Sequence, residues 1–308
     1  MTSPPLRRVA AGGFWVWLMA AGLAVAGQPA APAPVSVVTS NTVLADLVRN
    51  AGGDLVRVRS LAPAGTDPHT FQPTPDSIKT LTQARLVFFN GAGLEEWWGK
   101  SVRSVGQGVP VIELSQGLAT LDLSDASSEI QQHRGTPDPH VWLDPILTKA
   151  YVERIRDALS LADPPNAARY ADQVGNYLRR LDELDAWIRS AVGQVPAPRR
   201  KLVTFHDAFQ YFAKRYGFAI RGFVVVSPGK EPSAKAMAEL MRRIKAEQIP
   251  AVFAEADFNS KLLQALAKDA GVKVMTNLYD GSLTDGPPAG SYLDLMRHDV
   301  TIIVNALK

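Results

Sequence analysis

From Val35 onward, short apolar runs alternate with stretches whose apolar residues recur every three or four positions. Val35–Thr39 predicts a buried strand. The helix after it, capped at Ser40 or Asn41, carries Val43, Leu44, Leu47, Val48 and Ala51 on one face before Gly52-Gly53 ends it. Leu55–Leu61 predicts a second strand, and the loop from Ala62 to Thr74 is broken by Pro63, Gly65, Pro68 and Pro73. Pro75 opens a short helix, Arg85–Asn90 a third strand, and Gly91–Gly93 precede a helix with Trp97 and Trp98 and then strand Val109–Leu114. This order implies an α/β fold with a parallel sheet covered by helices on both faces.

Residues 115–138 are polar and irregular, and two helices then interrupt the rhythm. Pro145 to about Leu161 forms the first, and Asp163-Pro164-Pro165 stops it. Asn166 starts the second, which runs to about Val192, roughly 40 Å at ~1.5 Å per residue, with one stripe of Val174, Tyr177, Leu178, Leu181, Leu184, Trp187 and Ile188. A second βαβα series follows: strand Lys201–Phe205, helix 207–217, strand Phe218–Val226, helix 233–248, strand Ala251–Ala254, helix 259–270 and strand Val272–Met275. An amphipathic helix over 291–307 closes the chain, so its two halves share one architecture.

The segment before Val35 reads differently. Arg7-Arg8, the apolar run Val9–Leu23 and Ala24-Val25-Ala26 have the form of a cleavable signal peptide over 1–26, followed by a Pro/Ala-rich linker over 27–34. An uncleaved anchor is the alternative, since the run is only a little short of a membrane span. The mature chain is expected to be periplasmic and, with no cysteine, not lipidated. The same absence removes thiol catalysis, disulfides and thiolate metal sites. Removing Arg7 and Arg8 takes the formal net charge from +3 to +1, which gives no support for a nucleic-acid partner.

Any metal must therefore be held by nitrogen and oxygen. Asp138-Pro139-His140-Val141-Trp142-Leu143-Asp144-Pro145 fixes His140 on a stiff corner, because Pro139 keeps Asp138 extended and Pro145 suits a helix first turn capped by Asp144. Gly65-Thr66-Asp67-Pro68-His69 repeats the arrangement. His206 follows an apolar strand, and Asp280 sits in Tyr279-Asp280-Gly281-Ser282. His69, His206 and Asp280 each come after a strand, the side on which open α/β sheets bind ligands. With His140 entering by the inter-lobe loop, each lobe supplies two candidates, which predicts a metal in the cleft between them. Three imidazoles and one carboxylate would make a closed, nearly tetrahedral zinc site.

Each candidate has a plainer reading. His69 could be a turn residue, His206 an N-cap or a core histidine, and Asp280 part of an ordinary turn. His133, in the polar loop, reads as a surface residue or a transient metal contact, and His298 as a surface residue. Glu255 is either an acceptor for an imidazole N–H or a polar strand end. The Trp97-Trp98 pair is expected to pack between helix and sheet, and no Walker A, H-E-x-x-H or G-x-S-x-G motif occurs.

Several segments resemble the periplasmic metal receptors of zinc and manganese ABC importers. They are Gly65–Pro75, Phe88-Phe89-Asn90-Gly91, Asp138–Pro145, Phe205-His206-Asp207-Ala208-Phe209 with Tyr211-Phe212, Ser227–Ser233, and Ser291-Tyr292. The resemblance implies two parallel-sheet α/β lobes, 35–144 and 193–308, joined through a helical connection, 145–192, whose long helix limits hinge motion. It implies metal ligands at His69, His140, His206 and Asp280, no catalytic residues, and delivery of the ion to an ABC transporter membrane permease by a monomer. Its third ligand is typically His in zinc receptors and often Glu in manganese receptors, so His206 favours Zn²⁺ over Mn²⁺ or Fe²⁺. Two departures are Thr70, where an acidic residue is common, and a 115–138 loop poor in histidine. The rival classes are a secreted metallohydrolase, which would need an open coordination position and a general base, and a metal-dependent adhesin.

Overall fold

In the first half, strands β1 (Val35–Thr39), β2 (Val56–Ser60), β3 (Leu86–Phe89) and β4 (Val111–Glu113) form one parallel sheet in the order β2-β1-β3-β4. Central β1 is buried on both faces, which explains its continuous apolar sequence. Helices α1 (Thr42–Gly52), α2 (Pro75–Thr82) and α3 (Trp98–Ser101) connect the strands. Asn41, rather than Ser40, caps α1 by accepting from the Leu44 N–H at 2.9 Å. A Thr74–Ser77 capping box with Pro75 at the first turn starts α2.

The connection consists of α4 (Pro145–Ala162) and α5 (Ala167–Gly193). The second half contains β5 (Lys201–His206), α6 (Gln210–Tyr216), β6 (Ala219–Val225), α7 (Ala234–Ala246), β7 (Ala251–Glu255), α8 (Lys261–Ala270), β8 (Lys273–Leu278) and α9 (Tyr292–Leu307). Parallel pairs β5-β6 and β7-β8 lie side by side through β5 and β7. This computed structural model describes residues 1–2, 33–101, 108–123, 135–229, 231–256 and 261–308, apart from the side chains of 100 and 101. The expected signal segment, except its first two residues, and His133 lie outside them.

Pro34–Lys308 is one compact unit. Its main core is continuous from α1 residues such as Leu44 through Tyr151 and Ile155 of α4 and Leu181, Leu184 and Ile188 of α5 to Phe212 and Met296. The stripe read from the sequence is the reason. Val174, Tyr177, Leu181, Leu184 and Ile188 are all buried, and α5 packs against α1, α4, α6 and α9. A smaller core lies between α7, α8 and the second-half strands.

Two elements differ from expectation. The helix after β5 begins at Gln210 instead of 207, because His206 completes the strand and residues 207–209 turn the chain, with the Ala208 N–H on the His206 carbonyl at 3.0 Å. Strand β8 continues past Met275 to Leu278 through a register shift against β7, with Asn277 at φ 68°. Its extra residues are not purely apolar, which is why the hydrophobic pattern ended the strand early.

Candidate metal centre

The two Asp-Pro-His segments fold alike. In each, the aspartate Oδ1 accepts the backbone N–H of the histidine two residues on, at 2.9 Å from His69 N to Asp67 and 2.9 Å from His140 N to Asp138. Proline between them fixes the turn, so the imidazole leaves a rigid corner. The Oδ1 of Asp138 also lies 2.7 Å from His140 Nδ1, which leaves Nε2 facing the other two imidazoles. Thr70 donates to the other Asp67 oxygen at 2.7 Å, so the departure at that position braces the first corner.

Neighbouring elements hold both corners. Asn90, just after β3, donates to the Pro139 carbonyl at 2.9 Å, and Tyr151 of α4 donates to the Asn90 amide oxygen at 2.7 Å. Tyr211 of α6 donates to the Asp138 carbonyl at 2.8 Å. The Trp97 indole donates to the Pro68 carbonyl at 2.9 Å, while Trp98 stacks on Phe89 of β3 with ring centroids 5.0 Å apart. The tryptophan pair thus packs between helix and sheet, as expected.

From the other side come His206, the last residue of β5, and Asp280, two residues past β8. The Trp142 indole donates to the Asp280 carbonyl at 2.5 Å. Gly281 lies so close to Pro68 that a Cβ there would come within 2.7 Å of the proline Cδ, so only glycine allows the two loops to meet. A hydrogen bond from Gly65 N to Ser282 Oγ, 2.8 Å, ties the same loops.

The structure brings all four candidates together. His69 Nε2 lies 3.1 Å from His140 Nε2, which lies 3.3 Å from His206 Nε2, which lies 3.1 Å from Asp280 Oδ2. His140, His206 and Asp280 are buried and His69 partly so. Glu255, at the end of β7, places Oε1 3.5 Å from His206 Nδ1, behind the ring, which fits the acceptor reading. His298, read as a surface residue, is half-buried beside Tyr279, with Nε2 2.9 Å from the Asn277 carbonyl.

Burial is the main influence on every titrating group here. It holds His69 well below its ordinary range and pulls His140 down to about 3, in both cases assisted by neighbouring imidazoles, while pushing Asp138 up to about 8. Burial also lowers His206, but the charges and hydrogen bonds of Asp280 and then Glu255 together outweigh it and hold this imidazole well above its usual value. Burial raises Asp280 in turn, and the opposing His206 charge brings it to about 2. The pair is therefore imidazolium beside carboxylate, a proton held where a cation would sit.

Residues 37–306 match the ZnuA family model, described as zinc-uptake complex component A, periplasmic. The chain belongs to this family. It is 31% identical over 274 residues to the manganese-binding lipoprotein MntA of Halalkalibacterium halodurans, covering 89% of this chain and 88% of that one. Among solved structures it superposes on the periplasmic zinc binding protein TroA from Treponema pallidum with a TM-score of 0.82 and 31% identity, covering 90% of this chain and 99% of that chain. The Mn-bound periplasmic metal binding protein from Candidatus Liberibacter asiaticus gives 0.79 at 26% identity, covering 89% and 100%. ZnuA-family members are periplasmic divalent-metal receptors for ABC importers, not enzymes.

Sequence reasoning found the four candidates but not what holds them. Asn90, Trp142, Tyr211 and the bonds of Asp67 and Asp138 to their histidines carry that work. An aspartate two residues before His69 and before His140 was the available signal.

Proposed function

We propose that this ZnuA-family receptor binds Zn²⁺ through His69, His140, His206 and Asp280 and hands it to a membrane permease. The observation that carries this is the spacing of ligand atoms: 3.1, 3.3 and 3.1 Å along the chain of four. An ion held ~2.0–2.1 Å from tetrahedral nitrogen and oxygen ligands separates them by about 3.3 Å. Three imidazoles and a single carboxylate suit zinc better than manganese, which favours more oxygen. Four protein ligands leave no open position for a hydrolytic water, which argues against a metallohydrolase.

Manganese is the second reading, favoured by the similarity to MntA and to the Mn-bound Liberibacter protein. Competition calorimetry of chelator-stripped protein with Zn²⁺ and Mn²⁺ separates the two. Tight zinc with weak manganese binding is expected, and the reverse would overturn the choice of ion. His140→Ala should lose tight zinc binding, on the order of 100-fold or more for a ligand whose outer partner alone is worth 10–100-fold, and still fold. Unchanged affinity in that variant would sink the ligand set.

The receptor is proposed to act as a monomer in the periplasm, with lobes 35–144 and 193–308 about the connection 145–192. MntA is named a lipoprotein. This chain has no cysteine to carry a thioether-linked lipid, which favours an unanchored form, and no helix among the described residues is long and apolar enough to cross a membrane. Detergent-free release of the processed protein with the periplasmic fraction would support that form, and retention with membranes would count against it.

A further inference from the structure

Strand β8 pairs with β7 through an irregularity. Phe253 faces Met275 and Glu255 faces Leu278, so one strand takes two steps where the other takes three. The extra residue is accommodated at Asn277, at φ 68°, a left-handed conformation uncommon outside glycine. An inserted residue reverses which face every later side chain points to. Leu278 enters the core at 0% exposure, and Asp280 leaves the strand end toward the three imidazoles.

Two consecutive residues of α9 grip this bulge. His298 donates from Nε2 to the Asn277 carbonyl at 2.9 Å, and its ring lies 5.3 Å from that of Tyr279. Asp299 accepts the Tyr279 N–H on Oδ1 at 3.0 Å. Asp299 is only 3% exposed, among Leu295, Met296, Val300 and Ile303 of the same apolar helix face, and its Oδ2 has no hydrogen-bond partner. A leucine there would avoid the cost of burying a carboxyl group with one unsatisfied oxygen. What leucine could not do is accept the N–H of the residue just before Asp280.

We propose that Asp299, assisted by His298, is a positioning residue for metal capture: it locks the β8 bulge through the Tyr279 amide and so sets where the Asp280 carboxylate stands. The inference rests on Asp280 being a ligand. Zinc chloride titrated against a competing chelator gives the affinity of the stripped full chain, with the melting temperature of the metal-free protein measured in parallel. Asp299→Leu should weaken zinc binding by about 10–100-fold, the usual effect of losing an outer partner of a ligand. Asp299→Asn, which keeps the Oδ1 acceptor, should restore affinity to within about threefold. In an Asp280→Ala background, Asp299→Leu should add less than about threefold, because its target is gone.

A lowered melting temperature with unchanged affinity would overturn the inference, as would an equal loss of affinity in both backgrounds. Should Asp299→Leu fail to fold, His298→Ala loosens the same bulge and takes its place in the cycle, with the same outcomes read. If Asp280→Ala alone keeps native affinity, the ligand set itself has failed, which is a different result from a silent Asp299.

Discussion

His206 carries the pH behaviour of the site. An imidazole must present a bare nitrogen to an ion. Burial already keeps His69 neutral, but Asp280 holds a proton on His206. A cation held by the proposed ligands would displace that proton. Acid therefore favours the metal-free form, and zinc affinity should fall about tenfold per pH unit below the raised value of His206. Zinc titrations in buffers of different ionisation enthalpy should show about one proton released per ion at pH 7. Zero release would mean that His206 does not meet the metal. The same raised value stabilises the metal-free fold fully below the unfolded histidine's ~6.5, and this contribution is lost as pH rises through the folded value.

Among the elements, α5 matters most. Leu184 is fully buried at its middle, so Leu184→Ala should cost 2–5 kcal/mol in unfolding of the metal-free protein while zinc affinity stays within about threefold. A large loss of affinity without destabilisation would assign α5 a direct part in binding. This helix was legible in the sequence because its apolar spacing persists from Val174 to Ile188 and Asn166 and Gly193 bracket it. The α/β order was legible for the same reason. The β8 bulge was not, since Thr276 and Asn277 break the apolar run and the strand resumes pairing with β7 only at Leu278. The corners at His69 and His140 were visible through proline. Asp280 was visible chiefly by resemblance, because its placement depends on Trp142 and α9, contacts that no local pattern encodes.

At the scale of the molecule, one shared core ties the two halves of the chain together. Main-core residues on α1, α4, α5, α6 and α9 form one apolar cluster. Cross-ties such as Leu283 N to Thr42 Oγ1 at 2.8 Å and Tyr292 N to Asp46 Oδ2 at 2.9 Å join the halves beside it. Metal-free protein should unfold in one cooperative transition by calorimetry, and its radius of gyration by solution scattering should change by less than about 1 Å on zinc binding. Two separated transitions, or a several-ångström contraction, would mean that the lobes move as independent bodies.

The proposed ligands are also far apart along the chain: 71 residues separate His69 from His140 and 66 separate His140 from His206. No short stretch holds two of them, so an unfolded chain has no local chelate and would have to close loops of that length for each added ligand. The ion is then chosen where folding finishes, not where synthesis takes place. A chain crossing a membrane unfolded would arrive empty and load from the compartment it enters.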